Sequence, residues 1–556
     1  MFLSAPAGYR QLGYKALSCT GTDTPQVKYY SYPRISARSM SFSTYTLGLF
    51  AVSFTAIALV RRHYRWMSRL QGSTLPPGPR GWPLIGSLLE FPAEYPWVVF
   101  REWSRTYGDM MFLRLLNTQM LIVSTANVAV DLMEKRSAIY SDKPVFPMDE
   151  LTGWDFDLAL MPYGQRWRSI RAHFHQYFNS VATPNYHDIQ TTQIHTFLRR
   201  SLDCAGKQHD PTSIRLMLAA TILDIVYGLE IQSMDDEYLD IIAKASDSFA
   251  EGKALGRFWV DFIPWLKYLP PWIPGAASAK FGAQSRPIVE EMVERPFRDI
   301  QSGVNQKPSM ARKLFEKLQQ EPDLQRRESQ LQHIKDSTGL AYIVGSDTTY
   351  CMIQTFFCAM AMSPDILKRA QKELETVVGP ERLPTFEDSK DLPYIRAIIL
   401  ECLRWLPVTP LGMIHRLTTD DYYNGYFIPK GTVVVPNIWQ MLRNPKDYPE
   451  PDKFNPNRFL KGGILNREIR DPSTLVFGFG RRICPGRHFS QDNAFLTIAT
   501  VLHVFDIVPS LDENGNKLDP TPQMTTGILS FPDRFNYMLL PRSEAAERLV
   551  RETDKA

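Results

Sequence analysis

This sequence predicts a mainly α-helical fold with a minor β-sheet region, on three observations. Helical patterns are long and frequent, the clearest running through residues 331–361 (LQHIKDSTGLAYIVGSDTTYCMIQTFFCAMA) with few breakers. Strand signals are short and sparse, the β-branched runs MLIVS (120–124) and TVVVP (432–436) being the clearest. Between residues 82 and 542 there is no internal repeat, low-complexity tract or second linker, so this stretch reads as a single large domain.

In chain order, residues 1–40 form an N-terminal extension with five Lys/Arg and a single acid, Asp23. A weak transit peptide and an over-extended start ahead of Met40 are its two explanations. No charge occurs from Ser39 to Val60, and at ~1.5 Å per helical residue that stretch covers about 33 Å, enough for a bilayer core. Residues 41–60 are therefore expected to be a transmembrane signal-anchor, with a buried core helix as the other reading. Arg61, Arg62, Arg65 and Arg69 follow, and the positive-inside rule places what lies downstream in the cytosol. The expected location is the endoplasmic reticulum membrane, single-pass, in contact with lipid. Residues 61–81 are basic and Pro-rich: Pro76, Pro77 and Pro79 stiffen them, and Gly78 and Gly81 let them turn. They read as a short arm ahead of the 82–542 body. Residues 543–556 are a charged tail expected to fray.

Composition narrows the function classes. Net charge is +4, from 63 basic and 59 acidic residues, which gives no reason to expect nucleic acid. The six cysteines, at 19, 204, 351, 358, 402 and 484, include no C-x-x-C pair. Neither a zinc ribbon nor a dense disulfide framework is indicated.

Inside the body, three stretches carry candidate chemistry. PYIRAIILECLRW (393–405) reads as a helix with Pro393 in its first turn. Glu401 and Arg404, three apart, share a face and can pair, as in many surface salt bridges. VGSDTT (344–349) interrupts the long apolar helix with poor helix-interior residues. FGFGRRICPG (477–486) spends three glycines, two arginines and a cysteine in ten residues. Taken alone it is a structural thiol, a glycine-rich turn, or a thiolate stabilised by Arg482, by backbone N–H groups and by the start of a following helix.

Together these residues resemble the cytochrome P-450 family, the haem-thiolate monooxygenases. Phe477, Gly480, Arg482, Cys484 and Gly486 match its haem-binding signature. Glu401 and Arg404 match its E-x-x-R motif, and Arg458, in FNPNRF, matches the arginine that joins that pair; Asn457 stands where an acid is usual. Trp167 and Arg171 match the W-x-x-x-R helix. The resemblance covers roughly residues 75–542 and implies the P-450 fold. It implies haem b with Cys484 as the axial metal ligand, and a structural clamp of Glu401, Arg404 and Arg458. Trp167, Arg171, Arg482 and His415 would meet the haem propionates, with Arg416 as the alternative to His415. Asp347 and Thr348 would relay protons for dioxygen activation, and Gly345 would open the helix locally. Val344 departs from the small residue usual there, which bears on the room above the iron.

The same resemblance implies insertion of one oxygen atom into a hydrophobic small molecule. Electrons would come from NADPH through a separate cytochrome P-450 reductase, or from cytochrome b5, docked on a basic face built by Arg166, Arg168, Arg481 and Arg487. Within the family, GWDFDLALMPYGQRW and GRFWVDFIPWLKYLPPWIPG are similar to fungal secondary-metabolism members of the tryptamine 4-monooxygenase and O-methylsterigmatocystin oxidoreductase types. A terpenoid, polyketide or aromatic/indole substrate is implied. The candidate pocket comprises Phe156, Leu158, Leu160, Ile343, Val344, Leu411, Met413, Ile528 and Leu529, largely apolar, each also readable as plain core. A haem-thiolate isomerase or dehydratase, and a non-catalytic haem-binding protein, are the competing functions.

Overall fold

The computed structural model describes residues 38–253, 256–533 and 535–554. It divides into two compact units, residues 1–72 and 73–556. Most of the expected N-terminal extension, residues 1–37, lies outside the described residues.

Among the described residues the first unit contributes a helix from Arg38 to Leu70. Its length suits a bilayer; hydroxyl residues recur from Ser39 to Thr55, and four arginines follow Val60. Among the described residues no helix is long and apolar enough to cross a membrane. This corrects the expected transmembrane anchor at 41–60 and the single-pass membrane location drawn from it.

The second unit is mainly helical. Its long central helix, Leu324–Met362, extends the expected 331–361 pattern at its N-terminal end, where Asp323 caps it by accepting from the Gln325 and Arg326 N–H groups. VGSDTT does not break it. Ser346 donates to the Ile343 carbonyl at 3.2 Å and Thr348 to the Val344 carbonyl at 2.9 Å, so the hydroxyls are satisfied within the helix. One half, Ile334–Ile343, packs among the helices Gln165–Phe178, Thr212–Tyr227, Glu237–Gly252 and Ala277–Ser302. The other, Tyr350–Ala361, packs against Pro393–Trp405 and Arg487–Val504. The polar hexapeptide falls between the two cores.

The two expected strands pair with each other. Thr118–Val123 and Val433–Pro436 run parallel, Met120 opposite Val433 and Val123 opposite Pro436. Met110–Leu115 and His415–Arg416 complete a four-stranded sheet on either side. The stretch expected as an arm is partly stitched to this body: Phe112 N–H donates to the Pro77 carbonyl and Phe427 N–H to that of Thr74, both at 2.8 Å. A Cβ on Gly78 would sit 2.0 Å from the Phe112 carbonyl oxygen, so that approach requires glycine. Part of the expected charged tail is helical. Glu544–Glu552 is a helix capped by Ser543, with Ala546 and Val550 buried.

Candidate active site

The cysteine loop lies between Ser473–Val476 and the helix Arg487–Val504. Gly478 and Gly480 adopt positive φ, 79° and 51°. A Cβ on Gly480 would meet the Met133 carbonyl oxygen at 2.7 Å, so both conformation and contact require glycine there. Gly486 has φ −88°, and apart from its chain neighbours nothing among the described residues lies within 4 Å of a built Cβ. Cys484 N–H donates to the Phe477 carbonyl at 2.7 Å, closing the loop. Burial pushes the Cys484 thiol up, opposed by N–H donation from Gly486 and Arg487 and by the charges of Arg171 and Arg487. The sulfur thus faces donors and cations at a helix start, the surroundings in which a metal-bound thiolate is favoured.

Arg482 fits an anionic group beside that sulfur. Its Nε donates to the Ser141 carbonyl at 2.7 Å and its Nη1 to the Leu158 carbonyl at 3.1 Å. Nη2 is buried, with no hydrogen-bond partner among the described residues. A buried guanidinium with an unspent donor is a carboxylate receptor. Its Cζ lies 4.6 Å from the Trp167 ring centroid. Burial brings its pKa down to about 10. His415 is buried, with Nδ1 2.7 Å from the Tyr140 carbonyl oxygen, and burial beside Lys143 holds it well below the usual imidazole range. Arg416 N–H is bonded to the Asp142 carbonyl. Trp167 spends its indole N–H on the Leu158 carbonyl at 3.2 Å, and Arg171 donates to the Ile483 carbonyl at 2.6 Å. These two brace the loop from the helix Gln165–Phe178. The donor set, a thiol among cations with an unspent buried guanidinium close by, fits haem.

Sequence reasoning missed Lys143 and Asp157. Lys143 is buried and donates to the Met413 and Ile414 carbonyls at 3.1 and 2.7 Å, next to His415 and Arg482. Burial pushes Asp157 up to about 6, against a bond from Ala159 N–H and the charge of Lys143. The carbonyls that Lys143 meets lie some 270 residues away in the sequence, so no local spacing announced it.

Behind the loop, Glu401 receives a bidentate contact from Arg404, Nε–Oε2 2.7 Å and Nη2–Oε1 2.8 Å. Arg458 Nε lies 3.1 Å from Oε2 and 3.2 Å from Oε1, and Asn455 N–H donates to Oε1 at 2.7 Å. Arg404 also donates to the Leu442, Pro451 and Lys453 carbonyls. Both Glu401 and Arg404 side chains are fully buried. Asn457, in the place of the usual acid, accepts from Arg369.

On the central helix, Asp347 pairs with Arg215 at 3.2 Å and accepts from Ser246 at 2.8 Å. Gly345 has a packing reason: its Cβ would meet Ile222 Cγ1 at 2.7 Å, and the helix is not opened there. Val344 is 38% exposed. Of the expected pocket residues, Phe156, Leu158 and Ile343 are buried in one core cluster, while Leu411 and Leu529 pack on the other. Leu160, Met413 and Ile528 are half-buried. Ser530 N–H donates to the Val408 carbonyl at 2.8 Å, tying the 526–531 turn to the 408–413 segment. The expected basic face is divided. Arg166 is tied to Asp336 and Asp155 and Arg487 donates to the Cys484 carbonyl, while Arg168 and Arg481 are exposed over Tyr163.

Comparison with known proteins agrees with this geometry. The cytochrome P450 family model matches residues 76–537. Cytochrome P450 monooxygenase COX2 of Coprinopsis cinerea is 41% identical over 492 residues, covering 87% of this chain and 92% of that protein. Cytochrome P450 monooxygenase ple1 of Rhodocybe pseudopiperita is 37% identical, with 86% and 91% covered. Cytochrome P450 monooxygenase 208 of Postia placenta is also 37% identical, with 89% and 95% covered. With the family model matched over most of its length and relatives aligned nearly end to end, the chain belongs to the cytochrome P450 family and is a monooxygenase of the haem-thiolate type.

Proposed function

We propose that the protein inserts one oxygen atom of dioxygen into a hydrophobic small molecule, a terpenoid, polyketide or aromatic substrate of fungal secondary metabolism. Bound haem supplies the iron that activates dioxygen. Cys484 holds that iron through its sulfur, and Arg482 takes a propionate on its unspent Nη2, with His415, Trp167 and Arg171 bracing the surroundings. Glu401, Arg404 and Arg458 fix the loop's support. Asp347 and Thr348 pass protons inward from solvent. Phe156, Leu158, Leu160, Ile343, Val344, Leu411, Met413, Ile528 and Leu529 form the apolar wall that orients the substrate and excludes water. Electrons come from NADPH through a separate flavoprotein reductase, for which Arg168 and Arg481, exposed over Tyr163, are the candidate docking cations.

The observation that carries this reading is the pairing, in one loop, of a donor-surrounded Cys484 sulfur with the orphaned Arg482 donor. Its test is substrate screening with purified reductase and NADPH. Apolar ligands that shift the haem spectrum and form an oxygenated product support the reading. Conversion of a pre-oxidised substrate with no NADPH requirement overturns it in favour of an isomerase.

A further inference from the structure

A surface cavity of about 290 Å³ has walls that include Tyr95, Trp97, Leu406, Trp439, Arg443 and Met524 and share no residue with the cysteine loop or the proposed substrate pocket. Tyr95 meets Trp97 edge-on, ring centroids 5.7 Å apart. Arg443 sits over Trp439, its Cζ 4.0 Å from the ring centroid, and Arg101 approaches the same ring at 5.6 Å. The Arg443 side chain is only 6% exposed. Its Nη2 donates to the Trp405 carbonyl at 2.7 Å, and Nη1 lies 3.5 Å from the Trp439 carbonyl oxygen. Nε makes no hydrogen bond among the described residues. Asp452 Oδ1 stands 3.4 Å from it, an ion pair out of hydrogen-bond alignment.

A buried guanidinium so placed is short of an anion. Burial brings Arg443 down to about 9; the charges of Arg404 and Arg101 push the same way, and Asp452 opposes them. The Asp452 main chain is held, since Trp405 Nε1 donates to its carbonyl at 3.0 Å, but its side chain is 72% exposed and can rotate into water. That carboxylate marks a place that accepts an anion without filling it well. A ligand with a flat apolar body and one carboxylate matches both halves of the cavity, rings against rings and the anion on Nε in the place of Asp452. The volume suits a small ligand. We propose that this cavity binds a small planar aromatic carboxylic acid, with Arg443 as its receptor and Asp452 as the side chain that yields to it. Two of its walls continue into the substrate pocket's: Met524 precedes Thr525, whose N–H donates to the Phe531 carbonyl, and Leu406 lies two positions before Val408, whose carbonyl accepts from Ser530 N–H, both at 2.8 Å.

The test titrates 2-naphthoate into the haem-loaded full chain by isothermal calorimetry, with the haem pocket filled by excess clotrimazole. Saturable binding with a Kd of about 1 mM or tighter is expected. 2-Naphthamide keeps the rings and loses the charge, and should bind at least about tenfold more weakly. Asp452→Asn removes the competing carboxylate from an exposed side chain and should tighten naphthoate about threefold. Arg443→Met should weaken it about tenfold or more. Should Arg443→Met fail to fold, Asp452→Asn decides the matter, because a ligand bound elsewhere would not respond to it. No saturable binding, equal affinity for the acid and the amide, or an unchanged affinity in Asp452→Asn overturns the site. Binding seen only when clotrimazole is left out puts naphthoate in the haem pocket and overturns it equally.

Discussion

Two acids in this molecule pair with arginine, and they are built differently. Glu401 meets Arg404 and Arg458 with side chains 0% exposed for the first pair and 5% for Arg458, and neighbouring carbonyls take the remaining guanidinium donors. Asp347 meets Arg215 through one 3.2 Å contact across two helices, with solvent at hand and a third helix supplying Ser246. The first is a saturated network: removing one member strands a charge in the interior. The second is sparse, and its loss leaves groups that water can solvate. The same chemistry therefore supports the fold in one place and leaves room for a change of partner in the other.

The largest effect separating the two comes from Glu401→Ala. It strands two guanidinium groups and should cost about 3–5 kcal/mol, seen as loss of soluble folded protein or of haem uptake. Gly480→Ala comes next. Its φ of 51° and the Met133 carbonyl at 2.7 Å from a new Cβ should cost about 1–3 kcal/mol in thermal or denaturant unfolding. Asp157→Asn should show a pH signature. The folded carboxyl titrates at about 6, above its ordinary value of 3.8, so the native state keeps a proton the unfolded chain has lost. Wild-type stability therefore falls as pH rises from about 4 to 6 through this group. The Tm of Asp157→Asn minus that of wild type should rise across that interval and level off above it; a flat difference would contradict the burial assigned to Asp157. Smallest is the unfolding effect of Arg215→Ala, below about 1 kcal/mol. A loss matching that of Glu401→Ala would erase the contrast between the two pairs.

What could be read from the sequence was what is local. Glu401 and Arg404 are three apart on one helix, so their pairing follows from helical geometry, and the helix runs from Pro393 to Trp405 as expected. The runs at 120–124 and 432–436 identified two strands, though not that they pair in parallel. Partners distant in sequence were hidden. Gly345 is small because Ile222 packs onto it, and Lys143 reaches carbonyls some 270 residues away. Arg215 reaches Asp347 across 132 positions. The expected membrane span rested on an uncharged stretch of bilayer length, with a core helix as the other reading; among the described residues no helix is long and apolar enough to cross.

The central claim is that Cys484 ligates haem iron as a thiolate, and the carbon monoxide difference spectrum of the reduced protein tests it most directly. The account predicts the strongly red-shifted Soret band of thiolate ligation in the wild type, and its absence in a folded Cys484→Ser variant. A band at the position of histidine- or thiol-ligated haem in folded wild-type protein, or a red-shifted band that survives the loss of Cys484, would contradict it.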